Sequence, residues 1–452
     1  MQFFRKIAKQ AGIDKAIFFT SSARIAQGLG GIVSLLFIAR YLTGIEQGFY
    51  FTFASILAIQ VFFELGLNGI ITQYVAHEAS HLFQNGNNYE GEEKYRSRIA
   101  SLLHFCIKWY GVLAIALFVL LSTTGFVFFN HFYKSDSLVN WLIPWLLLSV
   151  TTTIYFMLSP FIAFIEGLGK VKEVAKIRFV QQVTNMVVIW SGLFVGLKLY
   201  VGGIGTLVSV CILIYFILQQ FYPLIHNIYT TKIIERVSYR HEIFPFQWKI
   251  ALSWISGYFI FQLFNPVLFA TEGAVVAGQM GMTLTALNAI LGFTLSWVTT
   301  KIPTFSALIA QNKYFQLDTL FNRTLLQSSL INGFGLAGMF MTIFGIRYFN
   351  IMVGGKNFGD RFLPYLPMFF MMLPILLNHI IAAWATYLRC HKQEPMLIQS
   401  ITIGLFCTLS TVVLGRYFGV IGMATGYMIL VIIGFIWTYS IFITNKRKWH
   451  NE

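Results

Sequence analysis

The chain has 452 residues, of which 57% are apolar and only 11% charged, with 46 phenylalanines and a mean hydropathy of +0.69. No soluble core needs that much apolar surface, so a soluble enzyme or binding module is excluded and an all-α polytopic membrane protein is expected. The net charge of +15 would point to nucleic acid in a soluble chain; here topology and anionic lipid headgroups account for it, and no nucleic-acid partner is expected.

Apolar runs of about 20 residues predict twelve spans, near 16–42, 46–76, 99–122, 141–166, 174–196, 201–222, 247–270, 273–300, 323–346, 363–390, 395–415 and 419–443. Twelve is even, so both termini share a side. The basic start (Arg5, Lys6, Lys9, Lys15) leads into a run too long for a signal-peptide core, and no cleavable leader is expected. The termini's side collects 23 of the lysines and arginines, while the opposite side has six, namely Lys134, Lys198, Arg347, Lys356, Arg361 and Arg416. That excess predicts cytoplasmic termini. The four cysteines (Cys106, Cys211, Cys390, Cys407) have no paired spacing, which argues against a disulfide framework or a thiolate metal site.

Span 1 sets Thr20, Ser21, Arg24, Gln27, Gly28, Gly31 and Ser34 on one face at steps of three and four. Arg24 lies roughly 12 Å inside the cytoplasmic end of the run. Arg40 follows sixteen residues later, about 160° round the helix, and beside Tyr41 it reads as an interface anchor. Span 2 carries Gln60, Glu64, Asn68 and Thr72 at steps of four, and Glu64 is the only acidic residue well inside an apolar run. Span 2 closes on "HEASH", 77–81, which matches the H-E-x-x-H zinc-protease pattern with Glu78 as base. A catalytic zinc needs a third protein ligand, and no companion motif supplies one. An ordinary polar helix end leading into a solvated loop is the preferred reading.

Span 3 brings Lys108 to the inner half of the membrane. Span 5 opens on Lys176 and Arg178 and continues through Gln181, Gln182 and Asn185. Tyr258, Gln262 and Asn265 mark span 7, and Asn378 and His379 mark span 10, but no lysine or arginine sits mid-membrane in the second half. Each buried ionisable group costs at least about 2.5–3.5 kcal/mol on insertion scales and therefore faces a cavity or a partner. In one reading Arg24 and Glu64 neutralise each other in packing. In the other, Arg24 and Lys108, with Lys176 and Arg178 at the mouth, bind an anionic headgroup in a cavity lined by Gln27, Gln60, Asn68, Gln181, Asn185, Gln262 and Asn265. Glu64 is then also a candidate site for a coupling proton or sodium ion. No Walker-type loop is present, so ATP is not the direct energy source, and no cofactor is expected.

The halves echo each other. "YVGGIG" (200–205) and "YFGVIG" (417–422), "FFN" (128–130) and "YFN" (348–350), and Pro144 and Pro364 recur at offsets of 217 to 220, with looser matches at 46–48 and 169–173. A duplicated six-helix unit of parallel topology follows, with lobes at 1–222 and 247–452 and a basic linker at 223–246.

Twelve spans, this repeat and the run "IARYLTGIEQGFYFTFASILAIQVFFELGLNGIITQYVAHEASHL" (38–82) resemble a Wzx-type polysaccharide flippase of the multidrug/oligosaccharidyl-lipid/polysaccharide (MOP) exporter superfamily. The resemblance implies two lobes around a central cavity in the bacterial inner membrane. Its substrate would be an undecaprenyl-pyrophosphate-linked oligosaccharide, such as an O-antigen unit for lipopolysaccharide, moved to the periplasmic leaflet. It also implies membrane lipids, a polysaccharide polymerase and other assembly proteins as partners. Cationic cavity residues on helix 1 of such flippases correspond to Arg24 by type and place. A cation-coupled multidrug antiporter of the same superfamily, an intramembrane metalloprotease at "HEASH" and a polysaccharide polymerase are the alternatives.

Overall fold

The computed structural model describes residues 30–86, 88–133, 139–391, 393 and 395–450. Arg24 and Gln27 lie outside the described residues. The helices are α1 (Gly30–Tyr41), α2 (Gly44–Leu57), α3 (Leu67–Ala79), α4 (Glu93–Phe132), α5 (Leu142–Gly167), α6 (Val171–Val195), α7 (Tyr200–Phe216) and α8 (Tyr222–Thr230). They continue as α9 (Phe244–Phe261), α10 (Phe264–Thr271), α11 (Ala274–Thr299), α12 (Ile302–Ala310), α13 (Tyr314–Tyr348), α14 (Tyr365–Cys390) and α15 (Leu397–His450). Among the described residues nine helical segments are long and apolar enough to cross a membrane. The chain is an all-α polytopic membrane protein.

The nine segments and the twelve predicted spans agree once three features are considered. Span 1 is described only from residue 30. Span 5 is α6, which is 25 residues long but carries Lys172, Glu173, Lys176 and Arg178 in its first turns. Spans 11 and 12 run together as the 54 residues of α15, and at about 1.5 Å per residue that is far longer than a bilayer core of about 30 Å. A break at Gly419 (φ 60°, ψ −148°) separates them. Glu272 defines the break, because its Oε1 accepts the Val420 N–H at 2.5 Å and so caps the second segment with a carboxylate.

Small hairpins close two of the connections. β1 (Leu82–Asn85) pairs antiparallel with β2 (Asn88–Gly91), and β3 (Met352–Val353) with β4 (Lys356–Asn357). The first corrects the expectation of a simple solvated loop after span 2. Tyr89 on β2 donates its hydroxyl to the Leu168 carbonyl at 2.8 Å, which fastens the hairpin to the end of α5.

By contact the described chain falls into two units. The first holds 59–131 and 140–254; the second holds 30–58, 132–133, 139 and 255–450. Within the first unit, α5 packs closely on α3. A Cβ on Gly167 would stand 2.7 Å from the Thr72 carbonyl oxygen, and the Thr72 hydroxyl donates to the Ala163 carbonyl at 3.1 Å.

Within the second unit, α2 lies against α11. The Gln47 amide donates to the carbonyls of Gly278 (2.8 Å) and Arg361 (3.1 Å). Arg361, 6% exposed, donates in turn to the Ala39 carbonyl at 2.9 Å, the Leu42 carbonyl at 2.8 Å and Gln47 Oε1 at 3.3 Å. One guanidinium therefore satisfies carbonyls at the end of α1 that the helix itself leaves open. Thr43 and Glu46 start α2 with a reciprocal capping box.

Candidate functional site

Helix-forming sequence runs from Gly44 to Ala79, but the helix itself is interrupted. It tightens to a 3₁₀ turn at Ala58–Gln60, makes one α turn at Val61–Glu64, and breaks where Leu65 (φ 48°) and Gly66 (φ 71°) are both left-handed. This corrects the expectation of one continuous span over 46–76. Gly66 is required on two counts, since only glycine adopts that φ without cost and a Cβ would lie 2.5 Å from Ile250 Cγ2. Leu65 has no such freedom, and its conformation costs about 1–2 kcal/mol. A tightened and broken helix inside a membrane bundle marks a place where backbone meets polar partners or a cavity. The 3₁₀ turn is also where the chain passes from the second unit to the first.

Glu64 stands at the break. Its Oε1 accepts from Asn68 Nδ2 at 3.0 Å, and the same amide donates to Ser159 Oγ at 3.0 Å. Asn68 Oδ1 accepts from the wholly buried Tyr110 hydroxyl at 2.9 Å. Ser159 donates onward to the Phe156 carbonyl at 2.8 Å. That carbonyl is open because residue 160 is proline, which has no N–H to return to it. Asn68 thus ties together α3, α4 and α5.

Tyr155 lies within electrostatic reach of both Glu64 and Arg178. Arg178 bonds Glu166 through Nη2 at 2.7 Å, and its side chain is 55% exposed. Among the described residues the Arg178 guanidinium meets one carboxylate, that of Glu166.

The other sequence-predicted residues divide. Lys108 is exposed and stands about 200° round α4 from Tyr110. It shares its face with the exposed Val112, Ile115 and Val119, and α4 does not bring it to the Glu64 cluster. Lys176 is exposed, with its ammonium 5.9 Å from the Phe216 ring centroid. Gln181 is buried, and its amide closes on the Ser209 carbonyl at 2.9 Å; Asn185 packs at Gly205. Both act in helix packing within the first unit. Asn265, also buried, donates to Ser55 Oγ at 3.0 Å, while Gln60 and Gln262 are half-buried. Arg40 is exposed and lies over the Tyr41 ring, as an interface anchor would.

The residues of "HEASH" are otherwise engaged. Glu78, 5% exposed, takes Arg98 Nε at 3.3 Å. His81 stacks on Tyr95 with ring centroids 4.2 Å apart, and the His77 side chain is 74% exposed. Among the described residues no three His, Cys, Asp or Glu side chains gather as metal ligands. Arg98 is the centre of a clamp that spacing did not reveal. It also pairs with Glu235 at 3.1 Å, with Glu242 and with the Tyr74 hydroxyl, which itself donates to Glu242. Ser97 and Ser101 accept backbone N–H groups of Ile234, Glu235 and Val237 at 2.7, 2.8 and 3.0 Å. The basic linker is therefore strapped along the start of α4.

No family model matches the chain, and no curated protein does. Solved structures do match. The inward-facing conformation of a multidrug resistance MATE family transporter of the MOP superfamily superposes with a TM-score of 0.64 at 13% identity, over 96% of this chain and 99% of that one. The lipid II flippase MurJ in an inward closed conformation gives 0.61 at 16% identity, over 94% and 87%. A Pyrococcus furiosus MOP transporter, described as having a binding pocket of reverse polarity, gives 0.53 at 14% identity over 95% and 93%. The chain has the fold of MOP-superfamily transporters.

Proposed function

We propose that this chain, built on the MOP transporter fold, is a flippase that carries an undecaprenyl-pyrophosphate-linked oligosaccharide across the bacterial inner membrane, with both termini in the cytoplasm. The observation that carries the reading is the exposed cationic start of α6 beside a carboxylate at the helix break that is already engaged. Glu64 already accepts from Asn68, whereas Arg178 is more than half exposed with one carboxylate contact. Lys176 is exposed on the same helix. Arginine takes phosphate in two parallel hydrogen bonds and lysine adds a point charge. Arg24, on the polar face of span 1, is the proposed pyrophosphate ligand, with Lys176 and Arg178 at the entry. Lys108 belongs to the set only on sequence grounds. The broken helix supplies the movable element that alternating access requires. The Glu64 carboxylate is the proposed coupling group for a proton or sodium ion.

A second reading is a cation-coupled multidrug antiporter. It is favoured by the half-buried Glu64 carboxylate at the break and by the shared fold with a multidrug transporter. Export of a fluorescent cationic dye from inverted vesicles under a proton or sodium gradient separates the two. The flippase reading expects no export above empty vesicles. Dye export that disappears in Glu64→Gln would overturn it.

A further inference from the structure

The second unit contains a buried polar cluster far along the chain from Glu64. Thr294 on α11, Ser328 and Asn332 on α13 and His379 on α14 are all 0% exposed. His379 Nε2 lies 2.9 Å from Ser328 Oγ, and Nδ1 lies 3.4 Å from Thr294 Oγ1. Asn332 Nδ2 donates to Thr294 Oγ1 at 2.9 Å, while Oδ1 of the same carboxamide is buried with no hydrogen-bond partner among the described residues.

Counting hydrogens shows what the cluster fits. The single Thr294 hydroxyl proton can go to the carbonyl of Ile290 or Leu291, both at 3.0 Å, and that of Ser328 to the carbonyl of Leu325 at 3.2 Å. With those protons turned to the backbone, both ring nitrogens of His379 face oxygen lone pairs. A neutral imidazole has one N–H and leaves the other nitrogen facing an acceptor, unless a hydroxyl turns away from its helix to donate to the ring. An imidazolium fills both positions. We infer that this cluster is a proton-binding site, in which His379 exchanges a proton and the hydroxyls on α13 and α11 register its presence.

The exchange is simple to balance. Uptake adds a proton to the lone pair of the second ring nitrogen, and a hydroxyl that had donated to that nitrogen turns back to its own helix carbonyl. Release reverses both movements, and no other bond changes. The partners that the ring meets, Ser328 Oγ and Thr294 Oγ1, are neutral oxygens. Titratable groups on the same elements include Tyr427, which accepts from Asn378 at 3.0 Å, and Tyr387, which donates to Asp318 at 2.8 Å beside Lys446. Tyr387 is about 12 Å along α14 from His379.

The role in transport rests on the transporter reading, whereas the proton site itself can be read separately. Nitrogen NMR of ring-labelled full-length protein in lipid nanodiscs, with His379→Gln to assign the signal, follows the His379 ring from about pH 4 to about pH 8. Conversion of both ring nitrogens to N–H on acidification, at a midpoint displaced in Ser328→Ala, is expected. A ring that keeps one tautomer throughout would overturn the inference. In proteoliposomes the acceleration of substrate movement by a pH gradient is expected to fall about tenfold in His379→Gln, and undiminished acceleration would remove the coupling role. If wild-type protein moves no lipid-linked substrate, the flippase reading fails while the NMR titration still decides the proton site.

Discussion

Arg98→Ala is expected to be the most destabilising single change in the first unit. Arg98 is 14% exposed and Glu78 5%, so removing the guanidinium leaves a buried carboxylate with an uncompensated charge. Losing one member of such a pair costs about 3–5 kcal/mol. The lower end applies because Glu235 and Glu242 remain partly exposed, at 42% and 31%. Thermal unfolding in detergent should move down by about 5 °C or more, and the linker over 231–243 should exchange amide hydrogen faster as its strap loosens. Glu78→Gln in the Arg98→Ala background should recover part of the loss, because the stranded charge is gone; additive losses would show that the two residues act separately. The clamp also predicts an acid limit. Burial raises the Glu242 carboxyl, but hydrogen bonds from Tyr74, the Ser238 N–H and Arg98 outweigh it and hold the group below its ordinary value of 4.5. A lowered folded value contributes stability that is complete above 4.5 and is lost as pH falls through the lowered value. Wild type should therefore lose its advantage over Arg98→Ala at acid pH, as measured by unfolding at a series of pH values.

Arg361→Ala is expected to be next in severity, and in the second unit. The substitution strands the Ala39 and Leu42 carbonyls, each of which accepts from the guanidinium at under 3 Å. Each buried group left unsatisfied costs about 1–3 kcal/mol. The loss is local to the seam between the ends of α1 and α2 and the connection that precedes α14. Hydrogen exchange over residues 39–48 should rise by about tenfold or more with α4 and α5 unaffected. Unchanged exchange there would show that the Gln47 bonds alone hold the seam.

Spans were legible because bilayer thickness writes a long apolar run, and α5, α11, α13 and α14 fall where those runs predict. The break at Gly66 was not, because Leu65 and Gly66 interrupt no hydrophobic run. Glycine in a membrane helix is common, and only its left-handed φ and the Ile250 side chain from a distant segment show why this one is required. The step-of-four ladder did place Glu64, Asn68 and Thr72 together, and the structure joins Glu64 to Asn68 directly. It could not find Tyr110 and Ser159, which arrive from other helices. The Ser-Pro pair at 159–160 was the available signal, since proline opens a carbonyl that the preceding serine can fill. Gln181 and Asn265 read as cavity-lining because a polar residue on an apolar helix suggests water; both are in fact used between helices, where Ser209 and Ser55 accept their amides. Arg98 and Arg361 entered the sequence reading only as charges that set orientation. Their partners lie 137 and 322 residues away along the chain, beyond any spacing rule.

The most direct test of the flippase reading is a leaflet-protection assay in proteoliposomes, with an undecaprenyl-pyrophosphate-linked oligosaccharide placed on one leaflet and wild-type, Arg24→Ala and Arg24→Lys proteins compared at equal incorporation. The account predicts that wild type moves the glycan to the other leaflet, that Arg24→Ala slows it by about a hundredfold, the loss of a charged bidentate contact of about 3 kcal/mol, and that Arg24→Lys restores part of the rate. Glycan movement at the wild-type rate in Arg24→Ala would contradict it.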